Sequence, residues 1–330
     1  MKIAFASVYF SILGRGFLIL KKGCRGMIYK NIAEVIGRTP VIRLGMTAED
    51  MAEIFLKVES FNPGGSIKDR ASLFMIRDAE ARGVLKEGQI IIEATSGNTG
   101  ISLAMLGASM GYKVIIVMPE TMSQERRSLI ASYGAELILT SGALGMKGSV
   151  EKAKELAVEK GYFMPSQFTN PSNVTAHIET TAVEIWEDFG DSLDAFVAGV
   201  GSGGTITGVA KVLKSRNPKI LITAVQPEKS PVLTGGVPSG HGIQGIGANF
   251  VPEILELSIV DRIIDMNESE AFQGARFLAE EAGILSGISS GANLAAAIRI
   301  ARELGKGKKV LTILPDTGER YLSTDLYRKD

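Results

Sequence analysis

The chain has 330 residues, with 36 basic and 36 acidic side chains and a formal net charge of +0. This balance offers neither a basic surface for nucleic acid nor an acidic tail for a basic partner. The one cysteine, Cys24, excludes an internal disulfide and a cysteine-based zinc site, and two histidines are too few for a multi-histidine metal site. We expect a metal-free protein of the reducing cytoplasm that is long enough for two domains.

Residues 1–26 differ in composition from the rest of the chain. Two apolar patches, Ile3–Leu13 and Phe17–Leu20, are separated by Arg15 and followed by basic residues. Neither patch is long enough to span a bilayer, and the basic run leaves no small-residue cleavage site typical of a signal peptide. We interpret this segment as an extension upstream of a start at Met27; a genuine, poorly ordered arm is the alternative.

From residue 27 onward, strand and helix patterns alternate. The predicted strands are Gln89–Ala94, Lys113–Met118, Leu137–Leu139, Ala195–Val200, Leu221–Val225 and Val310–Leu314, and the predicted helices include Asp69 to Gly83, Val150–Lys160, Ala271–Ala282 and Ala292–Leu304. Apolar strands separated by helices indicate parallel sheets covered on both faces. Because Asn-Pro-Ser-Asn at 170–173 interrupts this alternation, we predict domains 27–172 and 173–330.

Three unusual loops follow predicted strands or precede predicted helices, and the first contains Lys68. Pro63, Gly64 and Gly65 form a turn that excludes helix, and the apolar residues after Lys68 have helical spacing. Lys68 therefore lies in the first turn of a helix, where the partial positive charge disfavours an ammonium group. A lysine with a lowered pKa suits Schiff-base chemistry. A solvated lysine at a helix start is the alternative.

The second loop, Gly201–Thr205, lies between a predicted strand and helix. Its glycines allow backbone N–H groups to approach an anion, and the Ser202 and Thr205 hydroxyls can donate hydrogen bonds. The loop is neither a Walker motif nor a dinucleotide fingerprint, and it has no lysine for a triphosphate. A single phosphate monoester fits better, and a tight packing turn is the alternative.

The third loop, Thr95–Gly100, has hydroxyls at Thr95, Ser96 and Thr99, an amide at Asn98 and no charge. Uncharged donors at a helix start suit a carboxylate ligand. Ordinary helix capping is the alternative here and at Ser289-Ser290-Gly291.

Taken together and in this order, these motifs resemble those of pyridoxal-phosphate-dependent enzymes with the tryptophan synthase β-subunit fold, and most closely those of the cysteine synthase (O-acetylserine sulfhydrylase) family. Supporting stretches are Met118–Ser123 with Glu125–Arg127, Gln167–Asn173, Gln244–Gly247, Gly287–Gly291 and Gly318–Tyr321. The resemblance covers residues 27–330. It implies an α/β protein with two open, twisted, mostly parallel sheets flanked by helices, and with pyridoxal 5′-phosphate in the cleft between the domains (fold type II). The first segment of the N-terminal domain is expected to pack on the other domain.

The resemblance also implies roles for individual residues. Lys68 would be the catalytic residue and would bind the cofactor covalently, Asn98 would meet its 3′-oxygen and Ser289 its pyridine nitrogen. The cofactor phosphate would be bound by Gly201, Ser202, Gly203, Gly204 and Thr205, and the substrate α-carboxylate by Thr95, Ser96, Thr99 and Gln167. No metal is expected.

The activity that the resemblance implies is β-replacement, in which O-acetyl-L-serine and sulfide give L-cysteine and acetate in cysteine biosynthesis. A cystathionine β-synthase reaction with serine and homocysteine is the nearest alternative, and docking to serine acetyltransferase is a binding role that can coexist with catalysis. A homodimer is also implied. The chain departs from the family's usual residues at Ser202, Asn249 and 239–242, and we expect His177 to be structural.

Overall fold

The computed structural model describes residues 28–45 and 48–328, and Asn31–Asp330 form one compact unit. The predicted extension, residues 1–26, and the expected start at Met27 lie outside the described residues. No helix in the part of the chain that is described is long and apolar enough to cross a membrane.

Strands and helices alternate along most of the described chain. The strands are β1 (Val41–Arg43), β2 (Glu53–Val58), β3 (Ile90–Ala94), β4 (Lys113–Pro119), β5 (Glu136–Thr140), β6 (Ala195–Gly199), β7 (Leu221–Pro227), β8 (Arg262–Met266) and β9 (Lys309–Leu314). The α-helices are α1 (Lys68–Ala81), α2 (Asn98–Met110), α3 (Gln124–Ser132), α4 (Gly145–Lys160), α5 (Pro171–Ala176), α6 (Ala182–Phe189), α7 (Gly204–Arg216), α8 (Glu268–Glu280) and α9 (Ile288–Leu304).

The strands form two sheets. The larger has the order β1-β2-β9-β6-β7-β8, and all its pairs are parallel except β1 with β2. The smaller is the parallel sheet β3-β4-β5. This arrangement confirms the predicted α/β fold with two mostly parallel sheets.

Both faces of each sheet are covered, as continuously apolar strands require. On the larger sheet, Val197 packs with α8 and α9, whereas its neighbour Phe196 packs on the opposite face with α6 and α7. On the smaller sheet, Ile116 faces α1 to α3 and Ile115 faces α4. Alternate residues of one strand therefore supply two separate cores.

Three strands, β1, β2 and β8, were missing from the sequence prediction. In β2, the charged residues Glu53 and Lys57 shorten the apolar run. β8 is an edge strand with partly exposed residues, so it lacks the continuous apolar run by which the other strands were identified. β1 has three residues, too few for a pattern. The predicted helix at Val150 begins earlier, at Gly145.

The Asn-Pro sequence at 170–171 starts a helix. Asn170 Oδ1 accepts a hydrogen bond from Ser172 N at 3.0 Å, and Pro171 occupies the first turn of α5, where its missing N–H costs nothing. β1 and β2 belong to the larger sheet although they come early in the chain. The division of the chain at residue 172 stays a prediction.

A buried ionic cluster joins α1 to β2 and α6. Arg70 Nε donates to Glu59 Oε2 at 2.7 Å, and Arg70 Nη1 donates to Glu184 Oε1 at 2.6 Å. Lys57 Nζ lies 2.8 Å from Glu184 Oε2. The side chains of Arg70 and Glu59 are both 0% exposed, so each charge depends on the other for compensation.

Arg70→Met should lower the free energy of unfolding by about 3–5 kcal/mol, because it leaves the buried Glu59 carboxylate without its partner. Arg82→Met, at the C-cap of the same helix, is the matched control, since it breaks an exposed pair with Asp78 and should cost no more than about 0.5 kcal/mol. Denaturant unfolding measures both. Equal losses in the two variants would show that the buried cluster contributes no more than a surface pair.

Candidate functional site

Lys68 is the first residue of α1, as predicted, and the turn before it is held from several sides. Ile67 N donates to Pro315 O at 2.8 Å, and Gly64 N donates to Asp69 Oδ2 at 2.6 Å. A Cβ at Gly64 would lie 2.4 Å from Asp69 Oδ1, so this position requires glycine. The turn is therefore attached both to its own helix and to the loop after β9.

Burial lowers the pKa of the Lys68 amine, while the charges of Asp316 and Glu59 act in the opposite direction. The direction agrees with the sequence prediction, but the main cause differs. The prediction relied on the helix dipole, whereas in the structure the main cause is burial of the amine at the cavity. A larger share of neutral amine is the state needed for nucleophilic and proton-accepting chemistry.

The Gly201–Thr205 loop follows β6 and runs into α7, and it lines the same cavity as Lys68. Gly203 has φ +86° and forms the N-cap of α7. Ser202 Oγ accepts a hydrogen bond from Asn173 Nδ2 at 2.9 Å, which leaves its own proton free to donate. The first turn of a long helix, with N–H groups and a free hydroxyl at a cavity, is suited to an anion.

The glycines of this loop also serve packing. A Cβ at Gly201 would lie 2.6 Å from Gly245 O, and a Cβ at Gly204 would lie 2.1 Å from Asn173 Oδ1. The packing alternative therefore holds for these two positions, but it does not account for the hydroxyls of Ser202 and Thr205.

His177 lies behind the loop, and its structural contacts match the expectation. Its Nδ1 is 2.9 Å from Thr181 Oγ1 and its Nε2 is 3.2 Å from Thr205 Oγ1. Burial holds the pKa of His177 well below its usual range, so the ring is neutral near pH 7.

The third loop, Thr95–Gly100, is called the uncharged loop below; it follows β3 and leads into α2, whose N-cap is Gly97. No side chain makes the capping hydrogen bond, so the helix-capping alternative is wrong for Thr95 and Ser96. Thr95 Oγ1 accepts from Gly97 N at 3.3 Å, and Thr99 Oγ1 donates to Gln167 Oε1 at 2.7 Å. The structure thus brings Gln167 to this loop from a distant part of the chain.

Ser289 is not a helix cap either. α9 begins at Ile288 with Gly287 as its N-cap and without a side-chain capping bond. Ser289 is buried, and its Oγ lies next to Gly245, a residue of the cavity wall. A Cβ added to Gly245 would lie only 3.2 Å from this oxygen. Two nearby acceptors on the same helix, Ser290 Oγ and Asn293 Oδ1, are buried without a hydrogen-bond partner in the described residues.

Three further residues hold the site together, although the sequence analysis assigned them no role: Asp316, Arg320 and Arg126. Asn98 Nδ2 donates to Asp316 Oδ2 at 2.7 Å, and Arg320 Nη1 donates to Asn98 Oδ1. The Asn98 amide is therefore fixed, with one N–H left unused. In the sequence, Arg320 lies in the stretch Gly318–Tyr321 that supports the resemblance, and Asp316 follows the predicted strand Val310–Leu314.

Arg126 is the third of these residues. Its Nη1 donates to Ser96 O at 2.8 Å and its Nη2 donates to Gln244 Oε1 at 2.6 Å. One guanidinium thus connects the uncharged loop after β3 with the loop that contains Gly245. No group of three or more His, Cys, Asp or Glu within the described residues could hold a metal ion.

Comparison with known proteins gives consistent results. A family model described as "Pyridoxal-phosphate dependent enzyme" matches residues 32–316. A cysteine synthase of Staphylococcus aureus (strain N315) is 54% identical over 302 residues, which cover 91% of this chain and 97% of that protein.

Solved structures are similar over comparable lengths. O-ureido-L-serine synthase has a TM-score of 0.89 with 48% identity, covering 91% of this chain and 95% of that one. Cysteine synthase (OASS) from Entamoeba histolytica has a TM-score of 0.89 with 45% identity, covering 93% and 94%. An O-acetylserine-dependent cystathionine β-synthase from Helicobacter pylori has a TM-score of 0.87 with 40% identity, covering 92% and 100%.

Asp316→Asn should lower the pKa of the Lys68 amine further, because the charge of Asp316 raises that pKa in the native protein. The pKa can be followed by the ¹³Cε shift of Lys68 in cofactor-free, ¹³C-lysine-labelled protein, assigned with Lys68→Arg. The Lys160 signal is the internal control, since its partner Glu159 is remote from Asp316 in sequence and unchanged. An unchanged or higher Lys68 pKa would contradict the assigned role of Asp316.

Proposed function

Because the chain belongs to the family of pyridoxal-phosphate-dependent enzymes, we propose that it converts O-acetyl-L-serine and sulfide into L-cysteine and acetate. The observation that carries this proposal is the position of Lys68, which shares one cavity with the Gly201–Thr205 loop. The uncharged loop 95–99 adds donors for an amino-acid carboxylate. Cysteine synthases among its relatives favour sulfide as the nucleophile.

The residues around the cavity fit the family's cofactor. We propose that Lys68 binds it covalently, that Asn98 meets its 3′-oxygen and that Ser289 meets its pyridine nitrogen. The phosphate would be held by backbone N–H groups and hydroxyls of Gly201, Ser202, Gly203, Gly204 and Thr205. The free N–H of Asn98 and the unused proton of Ser202 support these assignments. When bound, the cofactor supplies an electron sink for the α-carbon of the substrate.

The chain's own residues would bind the substrate and move one proton. Thr95, Ser96, Thr99 and Gln167 would hold the α-carboxylate with neutral donors. Once the substrate amine has replaced Lys68, the released and neutral Lys68 Nζ would accept the α-proton, acetate would leave the β-carbon, and sulfide would add there. Lys68 Nζ would then return the proton to the α-carbon. A lysine that performs both transfers explains why the cavity needs no histidine or carboxylate as a base.

The choice of nucleophile has a second candidate. The Helicobacter pylori protein described above is an O-acetylserine-dependent cystathionine β-synthase, so the same scaffold accepts a thiol larger than sulfide. Homocysteine is therefore the alternative second substrate, with the same leaving group and the same residues at the α-carboxylate.

We also propose a cytoplasmic homodimer that can dock serine acetyltransferase. The single cysteine of the chain supports a reducing compartment. Exposed apolar side chains support an interface between subunits: Ile32, Val35 and Ile42 are 38%, 36% and 38% exposed. The acetyltransferase rests on the family resemblance alone.

The purified protein should be yellow, and sodium borohydride should fix the cofactor to the peptide that contains Lys68. Peptide mass spectrometry after reduction reads the position directly. Lys57 is the internal comparison, because it is also buried but lies in the ionic cluster, paired with Glu184. Labelling of another lysine, or a colourless protein that takes up no cofactor, would overturn the assignment.

Cysteine formation from O-acetyl-L-serine and sulfide should exceed, in kcat/KM, both O-phospho-L-serine with sulfide and L-serine with homocysteine. A dianionic leaving group needs a nearby cation, and Lys229, the one lysine or arginine between Val225 and Pro252, already pairs with Glu268 at 3.0 Å.

Lys68→Ala is the matched negative control for this assay, and its kcat should fall by about 10³-fold because the acid–base group is lost. A higher kcat/KM with homocysteine would replace the proposed reaction by the second candidate. A higher kcat/KM with O-phospho-L-serine would show that another cation serves the leaving group.

A further inference from the structure

Glu93 is a buried carboxylate at the end of β3, directly before the uncharged loop. It is 3% exposed. Its Oε2 accepts from Ser166 N at 2.7 Å, its Oε1 accepts from Ala94 N at 3.1 Å, and the backbone N–H of Gln167 also donates to it. Among the described residues its donors are backbone groups and not charged side chains.

Burial of a carboxylate without a cation is costly. Burial raises the pKa of Glu93 to about 7, which the three backbone hydrogen bonds oppose. Several backbone N–H groups converge on this point, and a carboxylate can accept hydrogen bonds from them. Ionised, it is an acceptor on both oxygens, whereas an amide would turn an NH₂ group towards another donor.

The segment that Glu93 holds has an unusual backbone. Ser166 has φ +57°, a left-handed conformation that a residue with a side chain adopts only when its surroundings enforce it. The bond from Ser166 N to Glu93 is one such constraint. The strained turn places the next residue, Gln167, beside Thr99 of the uncharged loop.

Gln167 is 7% exposed and is held at both ends. Its side-chain Oε1 accepts from Thr99 Oγ1 at 2.7 Å. Its carbonyl oxygen accepts from Asn173 Nδ2 at 2.8 Å, and the same Nδ2 also contacts Ser202 Oγ at 2.9 Å. A displacement of the 166–167 turn would therefore move Gln167 away from Thr99 in the uncharged loop.

We propose that Glu93 is a positioning residue for the substrate α-carboxylate. Its two oxygens fix the strained Ser166 turn and the backbone of Gln167, and thereby keep Gln167 in register with Thr99. The inference rests on the proposed function, because it assigns the carboxylate of the amino-acid substrate to loop 95–99 and Gln167. Glu93 itself does not touch the substrate.

The test is Glu93→Gln in the cofactor-loaded enzyme, with two ligands that differ in one group. L-Serine carries the α-carboxylate and ethanolamine lacks it, and binding of each is followed by the change in cofactor absorbance. Glu93→Gln should weaken L-serine binding on the order of tenfold, the effect of disturbing a buried hydrogen-bond network, and leave ethanolamine binding unchanged. The KM for O-acetyl-L-serine should rise by a similar factor, with the KM for sulfide unaltered.

Glu136→Gln is the matched control, since Glu136 is an exposed carboxylate on β5 of the same sheet. It should leave the binding of L-serine and ethanolamine and the KM values for O-acetyl-L-serine and sulfide unchanged. Cofactor content and the midpoint of thermal unfolding are measured for every variant. Glu93→Asp is the second variant: it keeps the charge but is one methylene shorter, so it should show the same selective loss. If Glu93→Gln does not fold, the titrations of Glu93→Asp decide.

The outcomes separate the two proposals. A wild-type enzyme that makes no cysteine from O-acetyl-L-serine and sulfide would refute the proposed function, whatever the variants do. A wild-type enzyme that does so, with unchanged L-serine binding and KM in Glu93→Gln or Glu93→Asp, would overturn the inference about Glu93. Equal weakening of L-serine and ethanolamine binding would assign Glu93 to the general fold and would also overturn it.

Discussion

The site depends on the backbone tie between the Lys68 turn and the loop after β9. Ile67 N donates to Pro315 O, Ser66 and Asp316 form an isolated antiparallel β-bridge, and Arg320 donates to Gly64 O. These contacts fix the start of α1 against the carboxyl end of the larger sheet. Because the start of α1 is fixed, the backbone position from which the Lys68 side chain enters the cavity is fixed as well.

The smaller sheet contributes the other wall of the site. The carboxyl end of β3 leads into the uncharged loop, and Arg126 joins that loop to Gln244 on the opposite side. Asn98 connects the same loop to Asp316. The two sheets are therefore coupled by a few directed hydrogen bonds near the cavity, and these bonds orient the groups that face it.

Charge is distributed unevenly around the cavity. The groups proposed to meet the substrate carboxylate are neutral, whereas buried carboxylates such as Glu93 and Asp69 accept hydrogen bonds from the backbone of neighbouring segments. Asp69, for example, accepts hydrogen bonds from Gly64 N and Ser102 Oγ, and burial raises its pKa to about 6. Such carboxylates orient the backbone of the loops, since they accept N–H groups that would otherwise be buried without a partner.

The sequence by itself determined the fold class, most strands and helices, and the loops of the site. Apolar runs of strand length, glycine-rich turns and helix-start residues are local features, so they can be read without knowing what packs against them. The Lys68 turn, the Gly201–Thr205 loop and the Thr95–Gly100 loop were all identified in this way. The edge strand β8 was missed because its partly exposed residues break the apolar run that marks the others.

Only the tertiary structure decided which cause lowers the pKa of Lys68, which serines are not caps, and which residues support the site. Burial depends on segments remote in sequence, so the desolvation of Lys68 has no local signal. Gln167 meets Thr99 across 68 positions, and Arg320 meets Asn98 across 222. Glu93 showed only an apolar strand context in the sequence, because its backbone donors at 166 and 167 reach it through the fold.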